Sequence, residues 1–480
     1  MPPDQTTLHP SIQGDKLGLT LIFISSILLG IWAVKDTIAL RNILLVLGAI
    51  VGAIYLVRQL RDQELRVNLT IKNSLPLILL GLMFVWVVAH YLFLSRYPQQ
   101  QFEELTSTWL RAFLGTWLAI GTALAITKKP NLVNWLWVGL FVSFLGLIYQ
   151  YIPKALSTHN LYAPDWYGSS YYFNGKINGV LAGSIMIAGL IGSLMYYCTS
   201  STNHRYFLKV LSATLFCIVG MLLASYAYVY IFDARNGIGL EVLIFAAGII
   251  FLGIASLQQK DKIKFNLRTI GYLVAILSAS ALVSYFGIQQ AKHNAGWLTM
   301  IEDVQVATQI NKYPNWREPS AVGYPQTASG RVVAANTYER AAWATAGIVI
   351  FVPDNPLGVG ILKHSFPRLL QEKYGKQLDD VVPSTHSAWV DLTLSYGLPG
   401  LFLLCGALLL ILYRTITRKQ SRDLNGLMLM MAIALLLIYT VGEVAVGHGL
   451  EILVYWIAFL GTMELLLGTI FRSDDLPKSL

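Results

Sequence analysis

The stretch LPLILLGLMFVWVVAHYLFLS, Leu75 to Ser95, decides the fold class. Over 21 residues it carries no Asp, Glu, Lys or Arg, and its one side chain that titrates near neutrality by type is His90. At about 1.5 Å per residue such a helix spans about 30 Å, the thickness of a bilayer's hydrocarbon. It is apolar on every face, which a half-buried helix of a soluble domain does not need. Comparable runs occur at 17–34, 40–57, 108–127, 132–152, 177–198, 208–230, 238–257, 270–289, 391–413, 426–442 and 449–471. The reading is an all-α integral membrane protein with about 12 transmembrane helices. Residues 1–289 hold the first nine, 290–390 form one large, partly helical extramembrane loop, and 391–480 hold the last three.

Composition agrees. Of 480 residues 55% are hydrophobic and 13% charged, against about a quarter charged in soluble domains, and mean hydropathy is +0.56. No soluble fold of this size can hide so much apolar surface. Asp4, Asp15 and Lys16 precede the first run and no small-residue cleavage site follows it, so Leu17–Val34 reads as a membrane helix rather than a signal peptide. Cys198, Cys217 and Cys405 lie in or at the ends of apolar runs and read as small buried hydrophobes.

The net charge is +9. No dense Lys/Arg run is interleaved with aromatics, so nucleic acid is not expected as a partner. The charge instead marks alternate loops. Arg58, Arg61, Arg66 and Lys72 form one; Lys128 and Lys129, Arg205 and Lys209, Lys260, Lys262, Lys264 and Arg268, and Arg414, Arg418, Lys419 and Arg422 mark the others. Basic loops face the cytoplasm. Both termini are therefore expected inside and residues 290–390 outside. Within that segment helices are expected at 299–311, at 336–352 with Asn336 and Glu339 as a capping box, and at 361–374 with Gly375 as the stop. The turn Asp354-Asn355-Pro356-Leu357-Gly358-Val359-Gly360 separates the last two.

Ionisable residues within or beside membrane helices are costly and need a reason. His90, Arg111, Arg235, Glu241, Asp391, Glu443 and Glu451 gather toward the outer side, while Glu464 does not. Singly, each reads as an interfacial residue reaching into water. Together on the face that carries the large loop they point to a polar cavity there. Arg235, in the turn Asp233-Ala234-Arg235-Asn236-Gly237, stands at a helix start, where free N–H groups favour anions. It reads equally as a phosphate clamp or as an Arg–Asp pair closing a tight turn. His386, in Ser384-Thr385-His386-Ser387 with Ser384 or Thr385 as helix cap, is the best candidate base. His364 and His448 are rivals on the same side. Trp166-Tyr167-Gly168 and Tyr171-Tyr172-Phe173-Asn174 would suit sugar rings but read first as an interfacial aromatic belt. The histidines are too scattered to suggest a metal site.

The loop and its flanks resemble a known family. Arg340-Ala341-Ala342-Trp343 is followed by Asn355-Pro356-Leu357-Gly358-Val359-Gly360, then His386, then Gly397-Leu398-Pro399-Gly400-Leu401. This order and spacing resemble the O-antigen ligase and polymerase superfamily, multi-helix enzymes of the bacterial inner membrane with one large periplasmic loop. Motif-level resemblance covers about a quarter of the chain, 233–239 and 331–401. The chain departs from the common pattern at Ser387, where Asn often follows the loop histidine, and at Asp233-Ala234, where Ser precedes the arginine. The resemblance implies glycan transfer from an undecaprenyl-diphosphate carrier, most like the ligase that uses lipid A–core as acceptor, with no cofactor and no metal. It implies His386 as the base for the acceptor hydroxyl and arginines on the diphosphate. The match falls on Arg235 and Arg340; Arg331, Arg111 and Arg317 are further candidates from local reasoning. A polymerase or a protein glycan ligase shares this chemistry with a different acceptor. A small-anion transporter is the rival of another class; its ionisable groups would lie nearer the bilayer midplane, on inverted repeats that this sequence lacks.

Overall fold

The computed structural model describes residues 15–61, 63–162, 172–199, 205–258, 267–375, 384–418, 424–444 and 448–467. Trp166, Tyr167, Tyr171, Lys260, Lys262, Lys264, Asp379, Asp380, Lys419, Arg422 and the Cys198 side chain lie outside what is described.

Helices occur at all twelve expected apolar segments. They are α1 Lys16–Ile31, α2 Ile38–Gln59, α3 Ile71–Phe93, α4 Leu110–Lys128, α5 Trp135–Thr158, α6 Lys176–Thr199, α7 Arg205–Tyr226, α8 Arg235–Gln258 and α9 Leu267–His293. The segment that follows contributes α10 Gly296–Ala307, α11 Ala335–Ala346 and α12 Ser365–Tyr374. The chain then returns to long apolar helices, α13 Ala388–Thr417, α14 Asn425–Val441 and α15 Gly449–Leu467. Among the described residues, eight helices are long and apolar enough to cross a membrane. The chain is thus an all-helical, multi-pass membrane protein, the form in which each backbone N–H and C=O is satisfied without water.

Two helices form the centre of the bundle. The apolar stretches of α15 and α6 are 94% and 89% buried, whereas that of α3 is 28% buried and turns outward. Close approach relies on small residues. A methyl on Gly30 or Gly139 would overlap the backbone of the facing helix, and the Gly139 N–H donates to Ser26 Oγ at 3.1 Å.

The segment between α9 and α13 has its own core. Trp316, Tyr338, Trp343, Phe351, Phe366 and Leu370 are buried together, and Val390 and Leu394 of α13 complete the cluster. The expected capping box is absent. The cap residue of α11 is Ala334, Asn336 instead accepts from Arg340 Nε at 2.7 Å, and Glu339 accepts from the Tyr324 hydroxyl. The helix expected over 361–374 starts at Ser365, because Ile361–His364 forms a turn held by Glu104, whose carboxylate accepts the Leu362 and Lys363 N–H groups at 2.8 Å each. Gly375 ends α12 in the left-handed conformation, as expected.

The tenth apolar segment is a broken helix rather than a continuous one. Gly397 in α13 has φ 72° and ψ −175°, a region open only to glycine. Pro399, which cannot donate, follows two residues later. The turn Pro356–Gly360 fills the break. Val359 N–H donates to Leu394 O at 3.0 Å, Gly360 N–H to Ser395 O at 2.8 Å, and Leu398 N–H to Pro356 O at 2.9 Å. From α3, Trp86 Nε1 donates to Tyr396 O at 2.8 Å and the His90 ring meets Leu357 O at 3.1 Å. The Asn-Pro-Leu-Gly-Val-Gly and Gly-Leu-Pro-Gly motifs are therefore two halves of one joint.

Replacing Gly397 by alanine places a Cβ 2.5 Å from Leu357 Cα and from the Pro356 carbonyl oxygen, in a backbone region that costs about 1–3 kcal/mol for a non-glycine residue. Gly397→Ala is expected to lower the melting temperature in detergent clearly. Gly406→Ala in the same helix, where the nearest neighbour is the Phe402 ring at 3.8 Å, is expected to leave it unchanged. Equal melting temperatures for the two variants would show that the joint does not carry the fold.

Candidate functional site

His386 lies in the short stretch 384–387 that leads into α13. Its backbone is left-handed, with φ 57°, a rare state for a residue bearing a Cβ. The neighbours hold it there. Ser384 Oγ accepts the His386 N–H at 3.2 Å, and the buried Asp391 accepts both the Thr385 N–H at 2.9 Å and the Thr385 hydroxyl at 2.7 Å. The expected capping of α13 by Ser384 or Thr385 does not occur. Ser387 is the cap residue, and Ser384 and Thr385 shape the approach instead.

The imidazole is fixed on two sides. Nδ1 lies 2.5 Å from Glu443 Oε1, and the ring stacks on the Trp343 indole with centroids 5.6 Å apart and planes 20° apart. A carboxylate only accepts, so Nδ1 carries a proton, and the neutral form of this imidazole has its lone pair on Nε2. This is the arrangement of a general base with an orienting acid.

Two arginines complete the cluster. Asn336, Arg340 and Trp343 share a face of α11, one and two turns apart. Burial pulls the Arg340 guanidinium below the ordinary arginine value; the Glu443 charge opposes this shift and the neighbouring Arg235 adds to it. Arg235, at the start of α8, donates through Nη2 to Thr337 Oγ1 at 3.2 Å. Its Nη1 is buried and has no hydrogen-bond partner among the described residues. The Arg–Asp reading of this turn does not hold, because Asp233 accepts from Gln290 Nε2 at 2.6 Å and Asn294 Nδ2 at 3.2 Å. Asn236 and Glu443 line one small cleft of about 10 Å³, which joins the α8 turn to the His386 partner. Arg235 and Arg340 together bring guanidinium donors that can receive an anion.

The other candidates are placed elsewhere. Arg331 Nη2 sits 2.6 Å from Asp303 and 3.6 Å from Glu302, and the Asp303 hydrogen bond raises its pKa. It is neutralised within the segment between α9 and α13. Arg317 lies over the Tyr374 ring at 4.3 Å and beside Trp316 at 5.4 Å, a cation–π position that braces α12. Arg111 Nε pairs with Glu451 Oε1 at 2.7 Å, and His448 Nδ1 lies 3.0 Å from Glu451 Oε2, in a separate cavity. His364 caps α12 from the left-handed region. Glu241 is fully buried and accepts from Ser225 Oγ at 2.7 Å. Glu464 pairs with Arg418 at 2.6 Å, at the opposite end of α13 from His386. Among the described residues no three His, Cys, Asp or Glu side chains converge as metal ligands.

Sequence reasoning missed the partnership of Glu443 with His386 and the stacking of Trp343. Glu443 was visible only as one more acidic residue at a helix end. No protein-family model matches the chain, and no curated protein matches it.

The geometry fixes the imidazole tautomer. In protein labelled with 15N-histidine, His386 is expected to show a protonated Nδ1 and a bare Nε2 at mildly basic pH, with the pattern lost in Glu443→Ala. The reverse tautomer would remove Nε2 as the base.

Proposed function

We propose that the chain is a glycan transferase that uses a lipid-diphosphate donor. The observation that carries this reading is the convergence of an oriented histidine with two arginines, one of which has a buried guanidinium nitrogen without a partner among the described residues. Such a site can deprotonate a hydroxyl on one side and hold a diphosphate on the other. The resemblance to the O-antigen ligase and polymerase superfamily names the substrates: an undecaprenyl-diphosphate-linked glycan as donor and lipid A–core as acceptor. On this reading twelve helices cross the bacterial inner membrane, both termini are cytoplasmic, and the site and the helical segment 290–390 face the periplasm.

His386 Nε2 takes the proton of the acceptor hydroxyl as its oxygen attacks the anomeric carbon. The bond from that carbon to the diphosphate oxygen breaks, and the diphosphate leaves with the electron pair. Arg235 and Arg340 stabilise the charge that develops there. Glu443 steadies the imidazolium and keeps the ring in position. A single displacement of this kind inverts the anomeric configuration. Arginines supply the counter-charge, so the reading needs no divalent cation. The polymerase and protein-ligase alternatives differ only in the acceptor. A small-anion transporter is less well supported, because a base locked to a carboxylate and stacked on a tryptophan serves proton transfer and not passage.

Purified protein given carrier-linked glycan and lipid A–core is expected to form the ligated product. If carrier-linked glycan alone is elongated instead, the acceptor assignment is wrong. His386→Ala is expected to lower turnover about 10²–10⁴-fold with the fold intact. Near-normal turnover would exclude His386 as the base. Arg235→Lys and Arg340→Lys keep the charge but lose the planar fork, so each is expected to weaken donor use by about 10- to 100-fold, the loss of a charge-assisted hydrogen bond of about 1.5–3 kcal/mol. Excess EDTA is expected to leave the rate unchanged. Loss of activity restored by magnesium or manganese would overturn the arginine assignment.

A further inference from the structure

A second polar cavity, of about 280 Å³, is lined by none of the residues of the His386 cluster. It is lined by Arg41 of α2, Arg111 of α4, Asn174, Lys363 and, at the start of α15, His448 and Glu451. Glu451 is the one acid in this lining, and its carboxylate is fully used. Oε1 accepts from Arg111 Nε at 2.7 Å, while Oε2 accepts from Trp32 Nε1 at 3.0 Å and faces His448 Nδ1 at 3.0 Å. Arg41 is almost wholly buried, with Nη1 donating to the Trp32 carbonyl at 2.6 Å. The lining thus carries three strong cations and one carboxylate, with Glu104 acting on Lys363 from outside it. Among the described residues Arg41 has no carboxylate of its own, since Glu451 is already bonded to Arg111, Trp32 and His448.

Burying the Arg41 guanidinium without a carboxylate of its own is expensive, and an anion held between it, Arg111 and the exposed Lys363 at the rim would stabilise it. The donors come from four separate parts of the chain and surround the space. That arrangement suits a tetrahedral dianion better than a planar carboxylate. The volume equals about nine waters at about 30 Å³ each. It holds a phosphoryl group with part of a sugar or glycerol, at the lower end of small-molecule sites.

The cavity is tied to the His386 site by one short connection. Glu443, which orients His386, and His448, which lines the cavity, are five residues apart in the stretch joining α14 to α15. Their Cα atoms are therefore at most about 18 Å apart. Lys363 is positioned from the other direction, by the Glu104 carboxylate that accepts its N–H.

We propose that Arg41, Arg111, Lys363 and His448 form a second phosphoryl-binding site, distinct from Arg235 and Arg340, that takes a phosphate carried by the acceptor glycolipid. The phosphoryl assignment rests on the cavity alone; its allocation to the acceptor rests on the proposed transfer reaction. One molecule would then present its hydroxyl to His386 while its phosphate is held a short distance away.

Binding is tested without turnover, by isothermal titration of the full chain in neutral detergent with inorganic phosphate and inorganic diphosphate as probes. Two classes of site are expected. Lys363→Glu, at an exposed position that leaves the buried packing untouched, and Arg41→Gln with Lys363→Gln are each expected to weaken one class at least tenfold and spare the other. Arg235→Gln with Arg340→Gln is expected to do the reverse. A single class in the wild type, or Lys363→Glu with wild-type binding of both probes, overturns the second site. The same titration in nanodiscs of phosphatidylcholine and of phosphatidylglycerol separates the two sources of phosphate. Equal phosphate affinity in both supports the acceptor, and displacement of phosphate by phosphatidylglycerol overturns that allocation in favour of a lipid headgroup. Absent transfer activity with both site classes intact would count against the transferase reading and leave the phosphoryl site standing.

Discussion

The break in α13 is the constraint on which the rest is arranged. A helix interrupted inside an apolar bundle frees carbonyls and N–H groups that lipid cannot satisfy, each at a cost of several kcal/mol. Here Leu394 and Ser395 give their carbonyls to Val359 and Gly360, and Leu398 takes the Pro356 carbonyl. The bonds hold only if the turn sits against the bare Cα of Gly397, and Gly358 must be equally close, since a Cβ on it would lie 2.5 Å from Ser395 O and from Gly397 N. The turn is thereby locked to the bundle, and with it both helices it connects. α11 carries Arg340 and Trp343 on one side of the turn; on the other, Lys363 and α12 follow directly. His386 enters from the N-terminal end of the same broken helix, three turns before the break.

Charge is sorted with comparable economy. Four carboxylates around the two polar regions each hold a partner: Glu443 holds His386, Glu451 holds Arg111 and Trp32, Asp391 holds Thr385 through one of its two oxygens, and Asp233 holds Gln290 and Asn294. These commitments decide which cations are left for a ligand. Arg331, close to two acids, has nothing to offer. Arg235, whose adjacent Asp233 is occupied by amides, keeps a donor in reserve. Proximity in sequence is a poor guide here. The acid two residues before Arg235 does not neutralise it, whereas Glu302 and Asp303, almost thirty residues before Arg331, do.

What was legible in the sequence follows from the range of the interactions. A membrane helix is specified by its own composition, so every long apolar run could be read locally, and so could Gly375 as a helix stop. The Gly-rich motifs could be recognised by order and spacing, but their meaning is a contact between Leu357 and Gly397 that no local pattern contains. The capping box at Asn336 and Glu339 failed because Arg340 and Tyr324 claimed those side chains first. The partnership of His386 with Glu443 spans 57 residues and could not be inferred from either neighbourhood. The five arginines offered as anion ligands differ in their counter-ions, and counter-ions are set by tertiary packing.

The stretch joining α14 to α15 links the two polar regions physically. Tyr439, at the end of α14, donates its hydroxyl to the Gly449 carbonyl at 2.5 Å, and Leu450 N–H donates to the Val444 carbonyl at 3.2 Å. Both bonds tie the α14 side of this stretch to the start of α15, and the second joins the residue after Glu443 to the residue before Glu451. α15 beyond this junction is the most buried helix of the bundle and cannot shift without disturbing the core. The carboxylate that pairs with His386 and the carboxylate that pairs with Arg111 therefore belong to one helix junction. The proposed transfer would gain from this shared junction, because the separation between the two sites would then set which acceptor hydroxyl reaches His386.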